Sequence, residues 1–132
     1  QLPEFNGVGQ KSQRMIELID VIWLKGQQII AAFEVEGTTS VYSGLLRLSD
    51  LAQAIQNASF PLYVAVPEAR SEDVRSQLSR LTFQRLGLHE RCRYFTFETL
   101  QKDAEAIRRF GDNEDAMKKI STRVDSIDEE EY

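Results

Sequence analysis

Three acids set into two apolar runs are the residues of this sequence best placed to do chemistry. Asp20 lies in Ile16 to Leu24, and Glu34 and Glu36 lie in Gln28 to Glu36. Both runs are rich in Ile, Val, Ala and aromatics, the composition of buried β-strands. Like charges repel and resist burial, so three clustered carboxylates on such strands need protons or a cation. A hard divalent cation with oxygen ligands is one solution. Mg²⁺ binds through one or two carboxylates together with water and phosphate oxygens, and Mn²⁺ suits the same ligands. The plainer reading leaves Asp20 and Glu36 at strand ends in water, neutralised by a nearby Arg or Lys.

What positions these acids is a hairpin. Only Lys25, Gly26 and Gln27 separate the two runs, which predicts an antiparallel pair. Side chains alternate along a strand, so Ala32, Glu34 and Glu36 share one face, with the two glutamates about 6 to 7 Å apart at the backbone. Ile29, Ala31, Phe33 and Val35 take the other face. Asp20 shares its face with Ile22 and Leu24, and the pairing register can set it across from Glu34.

An Asp near one strand, Glu-x-Glu on the next, then a Thr/Ser-rich turn and a helix resembles the PD-(D/E)XK nuclease superfamily, the fold of many restriction endonucleases and repair nucleases. The pieces are Ile19-Asp20-Val21 and Phe33-Glu34-Val35-Glu36, and the resemblance covers residues 16 to 67. No Pro precedes Asp20, and Glu36 stands where the pattern usually has Lys, as it does in some restriction enzymes of the superfamily. The resemblance implies a restriction-endonuclease-like mixed sheet and Mg²⁺ or Mn²⁺ held by Asp20, Glu34 and the backbone carbonyl of Val35. It further implies hydrolysis of DNA phosphodiester bonds with Asp20, Glu34 and Glu36 as catalytic residues. Glu36 would orient or deprotonate the attacking water, or bind a second metal ion.

The chain has 132 residues, 42% hydrophobic and 28% charged, which fits one globular α/β domain over residues 1–127 followed by an acidic tail at 128–132. Its single Cys92 excludes an internal disulfide framework, and no apolar run reaches membrane-spanning length, so a reducing, cytoplasmic setting and no membrane partner are expected. Net charge is −5, which argues against a broad nonspecific nucleic-acid surface. A local one is compatible with it. Arginine outnumbers lysine heavily between Arg47 and Arg109, favouring bidentate phosphate contacts, while Asp125, Asp128, Glu129, Glu130 and Glu131 concentrate negative charge at the end. The chain opens at Gln1 rather than Met and has hardly room before the hairpin for the helix and strand that the superfamily usually has there. Either the domain is a fragment of a longer chain or its front end is supplied by a missing segment or another subunit.

Along the chain, Gln1 to Gln10 reads as loop, and Gly7-Val8-Gly9 lacks the residues of a phosphate loop. Gly37-Thr38-Thr39-Ser40 supplies a turn and cap for a helix over Val41 to Gln56, whose inward face is Val41, Leu45, Leu48, Leu51, Ala52 and Ile55. Backbone N–H groups there, with the hydroxyls of Thr38, Thr39 and Ser40 and the side chain of Arg47, can hold a phosphate. Capping alone is the simpler reading. Pro61 and Pro67 bracket a strand, Leu62 to Val66, which the intervening helix makes parallel to its predecessor.

Pro67 to Leu86 reads as one helix with Val74, Leu78, Leu81 and Leu86 inward and Arg70, Arg75, Arg80 and Arg85 spread around the rest. A strand at Tyr94 to Phe97 follows. His89 and Cys92 are too few for a zinc site and read as a surface His and a half-buried Cys. A helix with Leu100, Ala104, Ile107 and Phe110 on one side ends at Gly111 to Asn113, and a weaker helix spans Met117 to Ile127. The whole is α/β, a mixed sheet of at least four strands flanked by helices.

Three function classes follow. The first is a metal-dependent endonuclease acting on DNA, for which cutting both strands calls for two active sites and hence a homodimer. The second is a noncatalytic nuclease-like module that binds DNA or a protein partner, motivated by Glu36 in place of Lys and by the negative charge. A small-molecule α/β enzyme is the third, with no nucleotide motif to specify it.

Overall fold

Alternation and turn chemistry build the first two strands. The computed structural model describes residues 14, 16–55, 59–103 and 114–124. β1 (Val21–Lys25) and β2 (Gln28–Val35) form the antiparallel hairpin. Its turn is Gly26-Gln27, with Gly26 at φ 63°, a left-handed conformation that favours glycine. Lys25 pairs with Gln28 and so belongs to the strand. Val21 pairs with Phe33, Ile22 with Ala32 and Trp23 with Ala31, before an irregularity shifts Leu24 onto Ile29. The first strand is shorter than expected. Ile16 and Glu17 are helical and residues 18–20 form a turn, with Ile19 N–H donating to the Ile16 carbonyl at 3.2 Å. Ile16 and Ile19 are buried in the same core while Leu18 is exposed, a spacing of three that suits a helical turn rather than a strand.

Ser40 caps α1 (Val41–Ala54), its side chain accepting from Ser43 N–H at 3.1 Å. The helix leads to β3 (Leu62–Val66), parallel to β2 and buried along its whole length, as a central strand covered on both faces should be. The single helix expected over Pro67 to Leu86 is instead a 3₁₀ turn (Glu68–Arg70), α2 (Ser71–Leu78) and α3 (Leu81–Arg85). The break falls at Ser79-Arg80, where the Ser79 hydroxyl donates to the Arg75 carbonyl at 2.7 Å and Gln84 Nε2 to the Leu78 carbonyl at 3.1 Å. Restarting the helix turns Phe83 inward and leaves Leu81 and Leu86 exposed, contrary to the inward roles expected of them.

α4 (Leu88–Arg91) leads into β4 (Cys92–Thr96), parallel to β3 and two residues ahead of the strand expected there. α5 (Phe97–Lys102) is capped by Thr96, whose side chain accepts from Thr99 N–H at 3.1 Å. α6 (Glu114–Ile120) gives way to β5 (Thr122–Arg123), antiparallel to β4, where a continuing helix was expected. Arg93 on β4 fixes this connection: Nε donates to Ser121 Oγ at 2.8 Å and Nη2 to the Ser121 carbonyl at 3.1 Å. The readings of Gln1 to Gln10, of Ala104, Ile107 and Phe110, of Gly111 to Asn113 and of the acidic tail lie outside the described residues.

Strand order is β1-β2-β3-β4-β5, a five-stranded mixed sheet. One face carries Ala32, Leu62, Val64, Val66, Cys92 and Tyr94 under Val41, Leu45, Leu48 and Leu51 of α1, Val74 and Leu78 of α2, and Phe83. The other holds Ala31, Phe33, Tyr63, Ala65, Phe95 and Met117, with Phe33 stacked on Tyr63 at 5.1 Å between ring centroids. Trp23, Phe97, Leu100 and Ile120 pack against that second layer.

Candidate metal-binding and catalytic site

β2 delivers two carboxylates to the face that α1 covers. Glu34 and Glu36 are separated by one residue, so both project toward α1, and both are buried, at 0% and 1% exposure. Asp20 is brought alongside by the hairpin register: Val21 pairs with Phe33, and Val35 N–H donates to Asp20 Oδ2 at 2.9 Å. One carboxylate oxygen from each of Asp20, Glu34 and Glu36 lies within 4.8 Å of the other two. The N–H and C=O of one strand residue point to the same side, so the Val35 carbonyl faces the Asp20 side as its N–H does.

Arg47, on α1, closes the cluster. Its Nε donates to Glu34 Oε1 at 3.0 Å and its Nη2 to Glu34 Oε2 at 3.1 Å, a bidentate pair, and Nη2 also reaches Glu36 Oε1 at 3.1 Å. The second Glu36 oxygen, Oε2, accepts from the Thr39 hydroxyl. Arg70 supports the same segment from behind, its Nη1 donating to the Glu36 carbonyl at 3.1 Å and the Gly37 carbonyl at 3.3 Å while Nη2 pairs with Asp73 at 3.1 Å.

Two buried acids served by one guanidinium are undercompensated. Burial pushes the Glu34 carboxyl up to about 7, with the Arg47 hydrogen bond pulling it down and the neighbouring Asp20 carboxyl adding to the rise. Arg47 is held above its ordinary value, first by its hydrogen bond to Glu34. Asp20, by contrast, is exposed. An acid-rich cluster of oxygen donors, buried at the glutamates and open at Asp20, fits a hard divalent cation.

Residues 3–124 match the family model described as the C-terminal domain of the Type II restriction enzyme NmeDI. The chain belongs to that family. No curated protein and no solved structure matches it. Mixed α/β, with five strands flanked by helices, this member of the NmeDI C-terminal domain family has an architecture compatible with a restriction-endonuclease-like fold.

In this NmeDI-type domain the other residues singled out from the sequence fall as follows. Thr38, Thr39 and Ser40 are exposed at the start of α1; Ser40 serves as its cap and Thr39 as a donor to Glu36. Asp50 is exposed, as expected. His89 and Cys92 are both buried, where a surface His and a half-buried Cys were expected. His89 lies within the short α4, Cys92 opens β4 in the core beneath α1 and α2, and burial pushes the Cys92 thiol up to about 12. No helix among the described residues is long and apolar enough to cross a membrane.

Two residues at the site were not found from the sequence. Gly44 lies on α1 directly against the Glu36 carboxylate, and Arg70 holds the turn after it. A Gly inside an otherwise good helical run was the available signal for the first, since it disfavours the helix unless close approach requires it. For Arg70 the sequence offered only its place among four arginines spread around one predicted helix, of which two or three could flank the site.

Proposed function

We propose that this domain is a metal-dependent nuclease module of the PD-(D/E)XK type that hydrolyses DNA phosphodiester bonds. The observation that carries the reading is the convergence of Asp20, Glu34 and Glu36 oxygens within 4.8 Å of one another, in a chain of a restriction-enzyme domain family. Asp20, Glu34 and the Val35 carbonyl would hold Mg²⁺ or Mn²⁺. Lewis-acid stabilisation of charge on the phosphodiester and a lowered pKa of water are what such a cation supplies when bound.

The chain's own groups do the rest. Glu36, held through both oxygens by Arg47 and Thr39, would orient the attacking water and accept its proton. A carboxylate at this position offers no positive charge to the phosphate, as Lys would. Arg47 would bring that charge from the facing helix, and the exposed Thr38, Thr39 and Ser40 would join it in contacting a phosphate. A homodimer would supply the two sites needed for two strands.

Titration of Mn²⁺ and Mg²⁺ into the chain by calorimetry, beside Glu34→Gln, tests the assignment. Binding that is lost in the variant is expected, followed by metal-dependent plasmid cleavage that Asp20→Asn abolishes. Cleavage surviving in Glu34→Gln would end this reading.

The second reading is a noncatalytic module that binds DNA or a protein partner. It is favoured by the bidentate Arg47 pair, which satisfies Glu34 from within the chain. DNA or partner binding with no metal uptake by the folded protein would select it.

A further inference from the structure

Resting on the metal-site reading above, we propose that Gly44 is a positioning residue for Glu36, required for the geometry of the site rather than for the helix that contains it. Gly44 is buried at the fourth residue of α1, where its N–H donates to the Ser40 carbonyl at 3.2 Å. A Cβ built there would stand 2.5 Å from Glu36 Oε1, 3.1 Å from its Cδ and 3.2 Å from its Cγ. Real Cβ atoms essentially never stand 2.5 Å from another atom, and the two carbon contacts are tight as well, so either Glu36 or the helix has to shift. The helix is held by Val41, Leu45, Leu48 and Leu51, all at 1% exposure or less in the core. Glu36 Oε1 also accepts from Arg47, and Oε2 from Thr39, so a displaced carboxylate leaves both donors.

Helical backbone at Gly44 is of the ordinary right-handed kind, so no conformational demand calls for glycine. Mid-helix glycine is unfavourable relative to alanine. What the missing side chain provides is the slot that the Glu36 carboxylate fills. The Arg47–Glu36 contact, and through it the relation of Glu36 to Glu34, depends on that slot.

Two measurements test this, one without metal. In metal-free protein, Gly44→Ala is expected to raise Tm by about 3–5 °C in a Glu36→Ala background, where only helix propensity acts. With Glu36 present the same change gives no rise, or a fall. This non-additivity reports the Gly44–Glu36 coupling. In the second measurement Gly44→Ala weakens Mn²⁺ binding about tenfold or more by calorimetry, because a displaced Glu36 disturbs the Arg47 that also fixes the metal ligand Glu34. That is the size typical of losing a ligand's outer support.

Equal Tm gains in both backgrounds, or wild-type Mn²⁺ affinity in Gly44→Ala, overturn the proposal. Should Gly44→Ala fail to fold, recovery of folding in the double variant supports it, and failure of both overturns it. Absence of Mn²⁺ binding by the wild-type protein sinks the metal reading instead, and the metal-free cycle then decides Gly44 by itself.

Discussion

Replacing Glu34 by Gln should flatten the pH dependence of stability. The folded-state carboxyl titrates at about 7, against an ordinary value of 4.5. A raised carboxyl binds its proton more tightly in the folded than in the unfolded chain. Its stabilising contribution is thus fully present below pH 4.5 and is lost as pH rises through 7. At about 1.4 kcal/mol per pH step, that interval sets a ceiling of about 3 kcal/mol. The amide introduced by Glu34→Gln cannot ionise, so wild type loses up to that amount relative to the variant between pH 4 and pH 8. Titrating groups that do not interact with Glu34 cancel in the difference.

Urea unfolding followed by the fluorescence of Trp23, the single tryptophan, would read it. With a urea slope of about 1.5 kcal/mol per molar, the midpoint difference between the two proteins should change by about 2 M across that range. A difference independent of pH would refute the reasoning. Divalent cation reverses the sign, because ligands must be deprotonated to bind: Mn²⁺ affinity should fall as pH drops below 7, with a proton released on binding.

Arg47→Met leaves two buried carboxylates without their cation. Because Arg47 is one-third exposed and screened, the loss should be about 2 kcal/mol rather than the full value of a buried pair, larger at pH 8 than at pH 5 in the same urea assay. Arg70→Ala removes donors to the Glu36 and Gly37 carbonyls and should cost about 1–2 kcal/mol, with faster amide hydrogen exchange confined to residues 36–40. Cys92, buried with its thiol pushed up to about 12, should resist a thiol-alkylating reagent at pH 8 until urea unfolds the chain.

The acid cluster was legible because it depends on short-range rules. Alternation put Glu34 and Glu36 on one face, and the short turn around Gly26 left the register that sets Asp20 beside Glu34. The α1 cap at Ser40 and the parallel pairing of β3 followed from equally local signals. What escaped was set by tertiary packing. Ile16 and Ile19 fit a strand as well as a turn of helix until the core they enter is known. Leu81 and Leu86 lost the interior to Phe83, because the chain restarts its helix after Ser79 and rotates the face it presents. β5 is two residues long and exists through its pairing with β4 and the Arg93 bonds to Ser121, which no periodicity in Met117 to Ile127 encodes. Arg47 was placed near the site from the sequence, but its grip on both glutamates depends on how α1 lies across β2.

β2 presents acids to one layer and aromatics to the other, and this makes the acidic arrangement self-checking. A slip of the strand by one residue would trade the two sets, sending Glu34 in among Tyr63 and Phe95 and setting Phe33 against Arg47. Both layers would fail together: charges would lose their guanidinium while a ring replaced the carboxylate it binds. A chain that completes its core has thereby assembled its acids as well. Folding alone thus fixes the register that places them, before any substrate has been met.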